Sequence, residues 1–242
     1  MAVAIASACS LFTQSVLAAN FSVSPIRLDL ASNQSTSVTV TNDSDKPLSL
    51  SMEAMTWMQD DKAMDHHEKT DALVFQPAQM TLEPKKKRTI RVSTKPGEPR
   101  PATEAAYRLY ITELPEAHAM HHGEAVALEV RFGVPVFVRQ ANASPQLSAT
   151  TVSGSPGMLN VTLKNSGNAH AHIESISSKP EGITESKFQQ WYVLAGSSNN
   201  YVLAIPPELC KHVGKKVVLE TRSDARMIPV DVTIPPETCA GK

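Results

Sequence analysis

Short segments in which hydrophobic and polar residues alternate recur along the chain, separated by polar, glycine or proline residues. A period of two puts successive side chains on opposite faces of a β-strand, so each segment predicts a half-buried strand. Strands spaced this regularly are typical of an antiparallel β-sandwich. In the first half of the chain the segments are FSVSPIRLDL, STSVTVTN, LSLSMEAMTWM, ALVFQP, TIRVST and AAYRLYITEL.

The longest alternating segment is EAVALEVRFGVPVFV, at residues 124–138. Strands usually run for about 5 to 6 residues, so this segment predicts a strand more than twice that length, longer than one domain needs. Pro135 has no N–H and therefore favours an edge position. The alternative is two ordinary strands broken at Gly133-Val134-Pro135 and packed wholly within the domain. The hydrophobic row contains Val126, Leu128, Val130, Phe132, Val134, Val136 and Val138.

The alternation is interrupted by QANASP and then resumes. Small, polar and proline residues of this kind are typical of a linker. We therefore predict an all-β protein with a first domain at residues 20–139, a linker at 140–146 and a second domain at 147–242. The segments of the second half are MLNVTLKN, AHIESISS, QQWYVLA, YVLAIPP, KVVLET and IPVDVTIPP.

Charge and hydropathy indicate which partners and which cellular location to expect. The 23 basic and 24 acidic residues nearly cancel, so no nucleic-acid partner is predicted. Residues 1–19 are uncharged and end in small residues, which predicts a secretory signal peptide and export. No later segment has the about 18 apolar residues that a membrane helix needs, so no membrane insertion is predicted.

Removal of the signal peptide leaves Cys210 and Cys239 as the cysteines of the mature chain. An even pair in an exported protein predicts a disulfide. Such a bond closes a loop of about 30 residues and stabilises the fold by about 3–4 kcal/mol on the chain-entropy model. The sequence has no CxxC, GxSxG, HExxH, phosphate-loop or dinucleotide motif, so we predict neither an enzyme nor a cofactor.

Several of these segments together resemble the periplasmic pilus chaperones of the chaperone-usher pathway. They are SPIRLDL, LVFQPAQMTLEPKKKRTIRV, TEAAYRLYITELP and LEVRFGVPVFVR, in that order, and the YRLY and FGVPV forms resemble the archaic branch. The resemblance implies two immunoglobulin-like β-sandwiches in an angled, L-shaped arrangement. It also implies an ATP-independent periplasmic chaperone that captures pilus subunits and delivers them to an outer-membrane usher.

In this family the chaperone lends its long strand to a subunit domain that lacks its last strand, a form of β-strand addition. The resemblance implies that Val126, Leu128, Val130 and Phe132 form the row that enters the subunit groove. It also implies that Arg27 binds the carboxylate at the subunit's C-terminus. Pro135 occupies the position of the second basic anchor of the well-known branch. We therefore predict Arg108, on the neighbouring strand, as the second anchor.

The resemblance further implies that Glu104, Arg139 and Asp224 are charged residues that fix the angle between the domains. The alternative for these residues, and for Arg27 and Arg108, is an ordinary surface charge.

A second hypothesis comes from two loops rich in histidine and methionine. Residues 64–67 contain Met64, His66 and His67, and residues 118–122 contain His118, Met120, His121 and His122. Imidazole and thioether groups together suit copper, so an exported copper-binding protein is the alternative function. Solvated loops are the simpler interpretation, and we predict no metal site.

Overall fold

The structure, a computed structural model, describes residues 21–31, 34–60, 62–97, 101–114, 129–187 and 190–239. It is built from β-strands in two sandwiches, with two short 3₁₀ helices, Pro207–His212 and Pro236–Cys239, in the second. In the described residues, no helix is long and apolar enough to cross a membrane. The strands of the first domain are β1 (Phe21–Ser24), β2 (Leu28–Ala31), β3 (Ser35–Asn42), β4 (Leu48–Thr56), β5 (Met58–Gln59), β6 (Asp65–His66), β7 (Leu73–Gln76), β8 (Gln79–Leu82), β9 (Lys87–Thr94), β10 (Ala105–Glu113) and β11 (Arg131–Arg139). Among the strands described, β5 and β6 pair only with each other, as a small separate hairpin.

The first sandwich packs a four-stranded sheet, in the order β1-β3-β9-β7, against a five-stranded sheet, in the order β2-β11-β10-β4-β8. Alternate residues of both sheets face inward and form one hydrophobic core, with Val38 and Ile90 from one sheet and Leu109 and Val136 from the other. The chain crosses between the sheets after β1, around Pro25. This crossing brings Arg27 to the edge of the five-stranded sheet, next to β11.

Strand β11 runs without a break through Gly133, Val134 and Pro135, unlike the alternative of two shorter strands. It pairs with β10 in antiparallel register along its length, from Ala105 opposite Val138 to Thr112 opposite Arg131. On its other side it pairs in parallel with β2, and this pairing begins at Val136 opposite Leu28. No strand among the described residues covers that second edge at residues 131–135. Val126 and Leu128 lie outside the described residues.

The second sandwich contains β12 (Leu147–Ser155), β13 (Met158–Asn165), β14 (Ala171–Lys179), β15 (Thr184–Lys187), β16 (Tyr192–Val193), β17 (Ser198–Ala204), β18 (Lys216–Ser223) and β19 (Arg226–Thr233). Its sheets have the orders β12-β13-β17-β15 and β16-β14-β18-β19, and a separate hydrophobic core lies between them. The predicted disulfide between Cys210 and Cys239 is present and joins the two 3₁₀ helices, with 5.7 Å between the Cα atoms.

Candidate functional site

Arg27 lies where the two sandwiches meet, and its half-buried guanidinium holds a carboxylate from each of them. Its Nε donates to Asp29 Oδ2 at 3.0 Å, within the first sandwich. Its Nη1 donates to Asp224 Oδ1 at 2.7 Å, across the boundary. Asp224 and Ala225 form the two-residue turn between β18 and β19, and both have positive φ angles, of 45° and 62°.

The electrostatics of this pair favour the charged forms of both residues. Burial lowers the pKa of Arg27, but the hydrogen bond to Asp224 and the charges of Asp29 and Asp224 outweigh it, so the pKa is raised. Burial raises the pKa of Asp224, but the hydrogen bond and charge of Arg27 outweigh it, so that pKa is lowered. His172 Nδ1 lies 3.7 Å from the same Asp224 oxygen.

Arg108 is a second half-buried cation, and it lies between β11 and the aromatic side chains of the boundary. Its guanidinium carbon stands 3.8 Å above the centre of the Trp57 ring, a cation–π contact, and its Nη1 donates to the Gly133 carbonyl at 3.3 Å. Burial lowers the pKa of Arg108, opposed by the charge of Asp65. Within the part of the chain that the structure describes, Arg108 makes no salt bridge.

Tyr192 belongs to the aromatic cluster beside the two cations. Burial raises the pKa of its phenol, and the positive charges of Arg27 and Arg108 only partly oppose this effect. Its ring stacks on His172 at 4.7 Å between centroids and meets the Trp57 ring edge-on at 5.3 Å. The segment QQWYVLA predicts only a strand, and nothing in it singles out Tyr192.

Gln59 holds Tyr192 in place from the other domain. Its side-chain Nε2 donates to the Tyr192 carbonyl at 3.1 Å, and its Oε1 accepts from the Leu194 N–H at 2.9 Å. One amide side chain thus bonds to the backbone of β16 on both sides of Val193, as a neighbouring strand would. The sequence contains no local pattern that reveals this role.

Glu104 and Arg139 lie together at a second polar cluster of the boundary. Glu104 Oε1 accepts from the His170 backbone N–H at 2.9 Å and lies 2.8 Å from His170 Nδ1. Arg139 reaches Asp29 at 3.3 Å and Glu104 at 3.8 Å. The His170 ring stacks on Phe137 of β11 at 3.6 Å. A cavity of about 360 Å³ opens beside this cluster, and its lining includes Asp29, Arg139, His170 and Asp224.

The three predicted interdomain charges therefore lie at the boundary, in two sets that Asp29 links by binding both Arg27 and Arg139. Glu104 and Arg139 belong to the cluster around His170, whereas Asp224 binds Arg27. The resemblance did not supply His170, His172 or Asp29. The local sign of His170 is the fragment NAHAH at residues 168–172, whose last two residues begin β14.

The described residues of the hydrophobic row, on β11 and at Val130 just before it, face the first sandwich. Val134, Val136 and Val138 are buried in its core, as expected, and Val130 and Phe132 pack partly against it. The Phe132 ring meets the Phe21 ring edge-on at 5.0 Å.

His66 and His67 contact different residues. His66 Nε2 lies 2.8 Å from Asp60 Oδ2, and this hydrogen bond is the main reason that the pKa of Asp60 is lowered to about 2. His67 Nδ1 lies 3.1 Å from the Thr56 carbonyl. Residues 118–122 lie outside the described residues. A different set, His172, Glu174 and Asp224, has ligand atoms within 4.8 Å of one another, but its Asp224 carboxylate is bound to Arg27.

The first half of the chain matches a known protein family. Residues 20–143 match the family model described as "Pili and flagellar-assembly chaperone, PapD N-terminal domain". No curated protein matched the sequence.

Among solved structures, the CsuC–CsuE chaperone–tip adhesion subunit complex from the archaic Csu pili of Acinetobacter baumannii has 20% identity and a TM-score of 0.64. That match covers 89% of this chain and 99% of the other. The Salmonella enterica SafA pilin–SafB chaperone complex has 11% identity and a TM-score of 0.59, with 88% and 96% covered. The class 5 fimbriae chaperone CfaA has 14% identity and a TM-score of 0.58, with 89% and 100% covered. At these identities the likeness concerns the fold, and it confirms the predicted pair of β-sandwich domains.

Proposed function

The chain belongs to the family of pili and flagellar-assembly chaperones, and on this basis we propose that it is an exported, periplasmic chaperone that captures pilus subunits and delivers them to an outer-membrane usher. The proposal includes removal of residues 1–19 on export. It requires no cofactor and no catalytic step. Solved relatives of the same fold are complexes with a tip adhesion subunit and with a pilin.

The observation that carries the proposal is the position of two cations beside an open strand edge. Arg27 directly precedes Leu28, which pairs with Val136 of β11. Arg108 lies opposite Pro135 on the neighbouring strand and donates to the Gly133 carbonyl. A guanidinium suits a carboxylate because its planar N–H groups match the two oxygens. We infer that Arg27 binds the subunit's terminal carboxylate and that Arg108, which makes no salt bridge within the described residues, is the second cation.

The open edge offers the second part of the site. The Glu113 N–H donates to the Val130 carbonyl at 3.0 Å, so the alternation of an antiparallel pair directs the N–H and C=O groups of Arg131 and Gly133 away from β10. The N–H groups of both residues and the Arg131 carbonyl are available to an added strand, whereas the Gly133 carbonyl already accepts from Arg108 Nη1. The subunit strand would then lie along β11, next to the anchored carboxylate. We keep Val126, Leu128, Val130 and Phe132 as the predicted row for the subunit groove. In the free protein Val130 and Phe132 are half-buried against the first sandwich, so each still exposes part of its side chain to a subunit.

The experiment is co-expression with export of the tagged protein and a pilus subunit encoded beside it, followed by purification and native mass spectrometry. We expect a one-to-one complex from the unmodified protein. The Arg27→Ala variant should yield at least about tenfold less complex, because removing one partner of a half-buried, hydrogen-bonded ion pair is costly. Arg91→Ala, an exposed arginine on β9, is the matched control.

Circular dichroism of each variant verifies that it is folded. Undiminished capture by a folded Arg27→Ala protein would remove Arg27 from the anchor. Failure of the unmodified protein to retain any subunit would contradict the chaperone function itself.

A further inference from the structure

Arg27 is already occupied in the free protein. A guanidinium presents two pairs of nitrogens to a carboxylate, Nε with Nη2 and Nη1 with Nη2. One nitrogen of each pair is in use here, because Nε donates to Asp29 and Nη1 donates to Asp224. A subunit carboxylate that engages two nitrogens of Arg27 must therefore share or displace one of the two aspartates.

Asp224 is the aspartate better suited to leave. Asp29 belongs to β2, lies two residues from Arg27 and also binds Arg139 at 3.3 Å. Asp224 reaches Arg27 from the other domain, from the tip of a two-residue turn. The two aspartates are about equally exposed, at 34% and 36%, but Asp224 has another partner in His172, whose Nδ1 lies 3.7 Å away.

We propose that Asp224 is an internal competitor that occupies Arg27 in the free chaperone and yields it to the carboxylate of the incoming subunit. This inference rests on the proposed function of Arg27. The exchange replaces one carboxylate by another, so the charge on Arg27 stays paired throughout. A group without a carboxylate cannot pair with Arg27 as Asp224 does. The competition therefore increases the selectivity of Arg27 for a C-terminal carboxylate over uncharged groups. It also weakens net binding, which favours later release.

The test measures carboxylate binding at Arg27 directly. We would titrate the isotope-labelled full chain with N-acetylglycine, a model of a chain terminus, and follow the Arg27 Nε–H signal by NMR. N-acetylglycinamide, which has no carboxylate, is the ligand control. The variants are Asp224→Asn, which keeps the shape of the side chain, and Asp224→Ala. Asp231→Asn is the matched control, because Asp231 lies on the same hairpin and bridges Lys216 instead.

We expect both Asp224 variants to bind N-acetylglycine about twofold to fivefold more tightly than the unmodified protein, the range for a partly exposed ion pair. Asp231→Asn should bind like the unmodified protein, and N-acetylglycinamide should not shift the Arg27 signal in any of them. Equal or weaker binding by the Asp224 variants would overturn the competitor role while leaving the Arg27 anchor intact. Absence of carboxylate binding at Arg27 in every variant would overturn both the competitor and the anchor.

Discussion

The Glu104 carboxylate shows how a single side chain can join two domains. It is 1% exposed, and its Oε1 accepts from the His170 backbone N–H and lies 2.8 Å from the ring Nδ1 of His170, which is itself fully buried. A buried polar group is costly unless it is hydrogen-bonded. Each residue therefore makes the burial of the other acceptable, and the cluster holds only when the domains lie in this arrangement.

Replacing Glu104 by leucine should lower the free energy of unfolding by about 1–3 kcal/mol, because the His170 N–H and ring nitrogen lose their acceptor while still buried. Glu104→Gln should cost less, since its amide oxygen can still accept. Urea unfolding measures both. Glu113→Leu, a change of the same kind at the other end of β10, is the control. An equal decrease in the free energy of unfolding for the leucine and glutamine variants would show that the stability does not depend on the acceptor oxygen.

At the residue scale, the sequence identified the residues carried by local motifs and missed those that depend on distant contacts. Arg27 and Glu104 lie in segments that resemble the family. Their nearby partners Asp29 and Arg139 lie in such segments too, but the long-range pairs were not predicted: Arg27 and Asp224 are 197 residues apart, and Glu104 and His170 are 66 apart. Tyr192 and His170 lie in or next to ordinary alternating strands, whose period does not indicate which outward-facing side chain will meet another domain.

Strand β11 has one edge that is covered in part. The register with β10 places Pro135 opposite Arg108 in a non-hydrogen-bonded pair, so the proline nitrogen points away from β10 and its missing N–H costs no bond to that strand. The amides of Phe132 and Val134 point toward β10. Those of Arg131 and Gly133 point toward the edge where a subunit strand would be added.

Amide hydrogen exchange should distinguish the two sets. In the free protein, the Arg131 and Gly133 amides should exchange faster than those of Phe132 and Val134. In the complex with a subunit, both should slow by at least about fivefold, the effect of one hydrogen bond of about 1 kcal/mol. Phe132 and Val134 serve as internal controls, because β10 protects them in both states. Unchanged exchange at Gly133 in a verified complex would place the subunit strand elsewhere.

At the element scale, alternation predicted most strands but not their division between sheets. STSVTVTN became β3 in full, whereas FSVSPIRLDL became two strands, β1 and β2, which belong to opposite sheets. Pro25 lies between them and cannot donate a ladder hydrogen bond. The segment LSATTVSGS, which forms β12, has too few hydrophobic residues to show a period of two, so the sequence does not predict this strand. Strand β12 lies at the edge of its sheet, where fewer hydrophobic residues are needed. Residues 124–128 of the predicted long strand lie outside the described residues.

At the scale of the whole molecule, composition and the alternation of hydrophobic and polar residues were sufficient to predict two β-sandwiches, since each sandwich buries its own core. They were insufficient to predict how the sandwiches are joined. Trp57, Phe137 and Leu194 form a small hydrophobic cluster across the boundary, with contributions from both domains. These residues belong to segments that also serve ordinary strands, so their second role becomes visible only when the domains are placed together.

Domains joined by a small interface are expected to move relative to each other. Substitution of Gln59 tests whether the two domains of this protein are held in a fixed arrangement. Gln59→Ala removes the acceptor of the Leu194 N–H and a donor to the Tyr192 carbonyl. The Leu194 amide should then exchange about fivefold faster, and residual dipolar couplings should show the two domains aligning less uniformly. Gln79→Ala, at an exposed glutamine of β8, should change neither measurement. If Gln59→Ala also leaves both unchanged, the Glu104–His170 cluster is sufficient to hold the domains, and Tyr192 keeps its place between Arg27 and Arg108 without the Gln59 bonds.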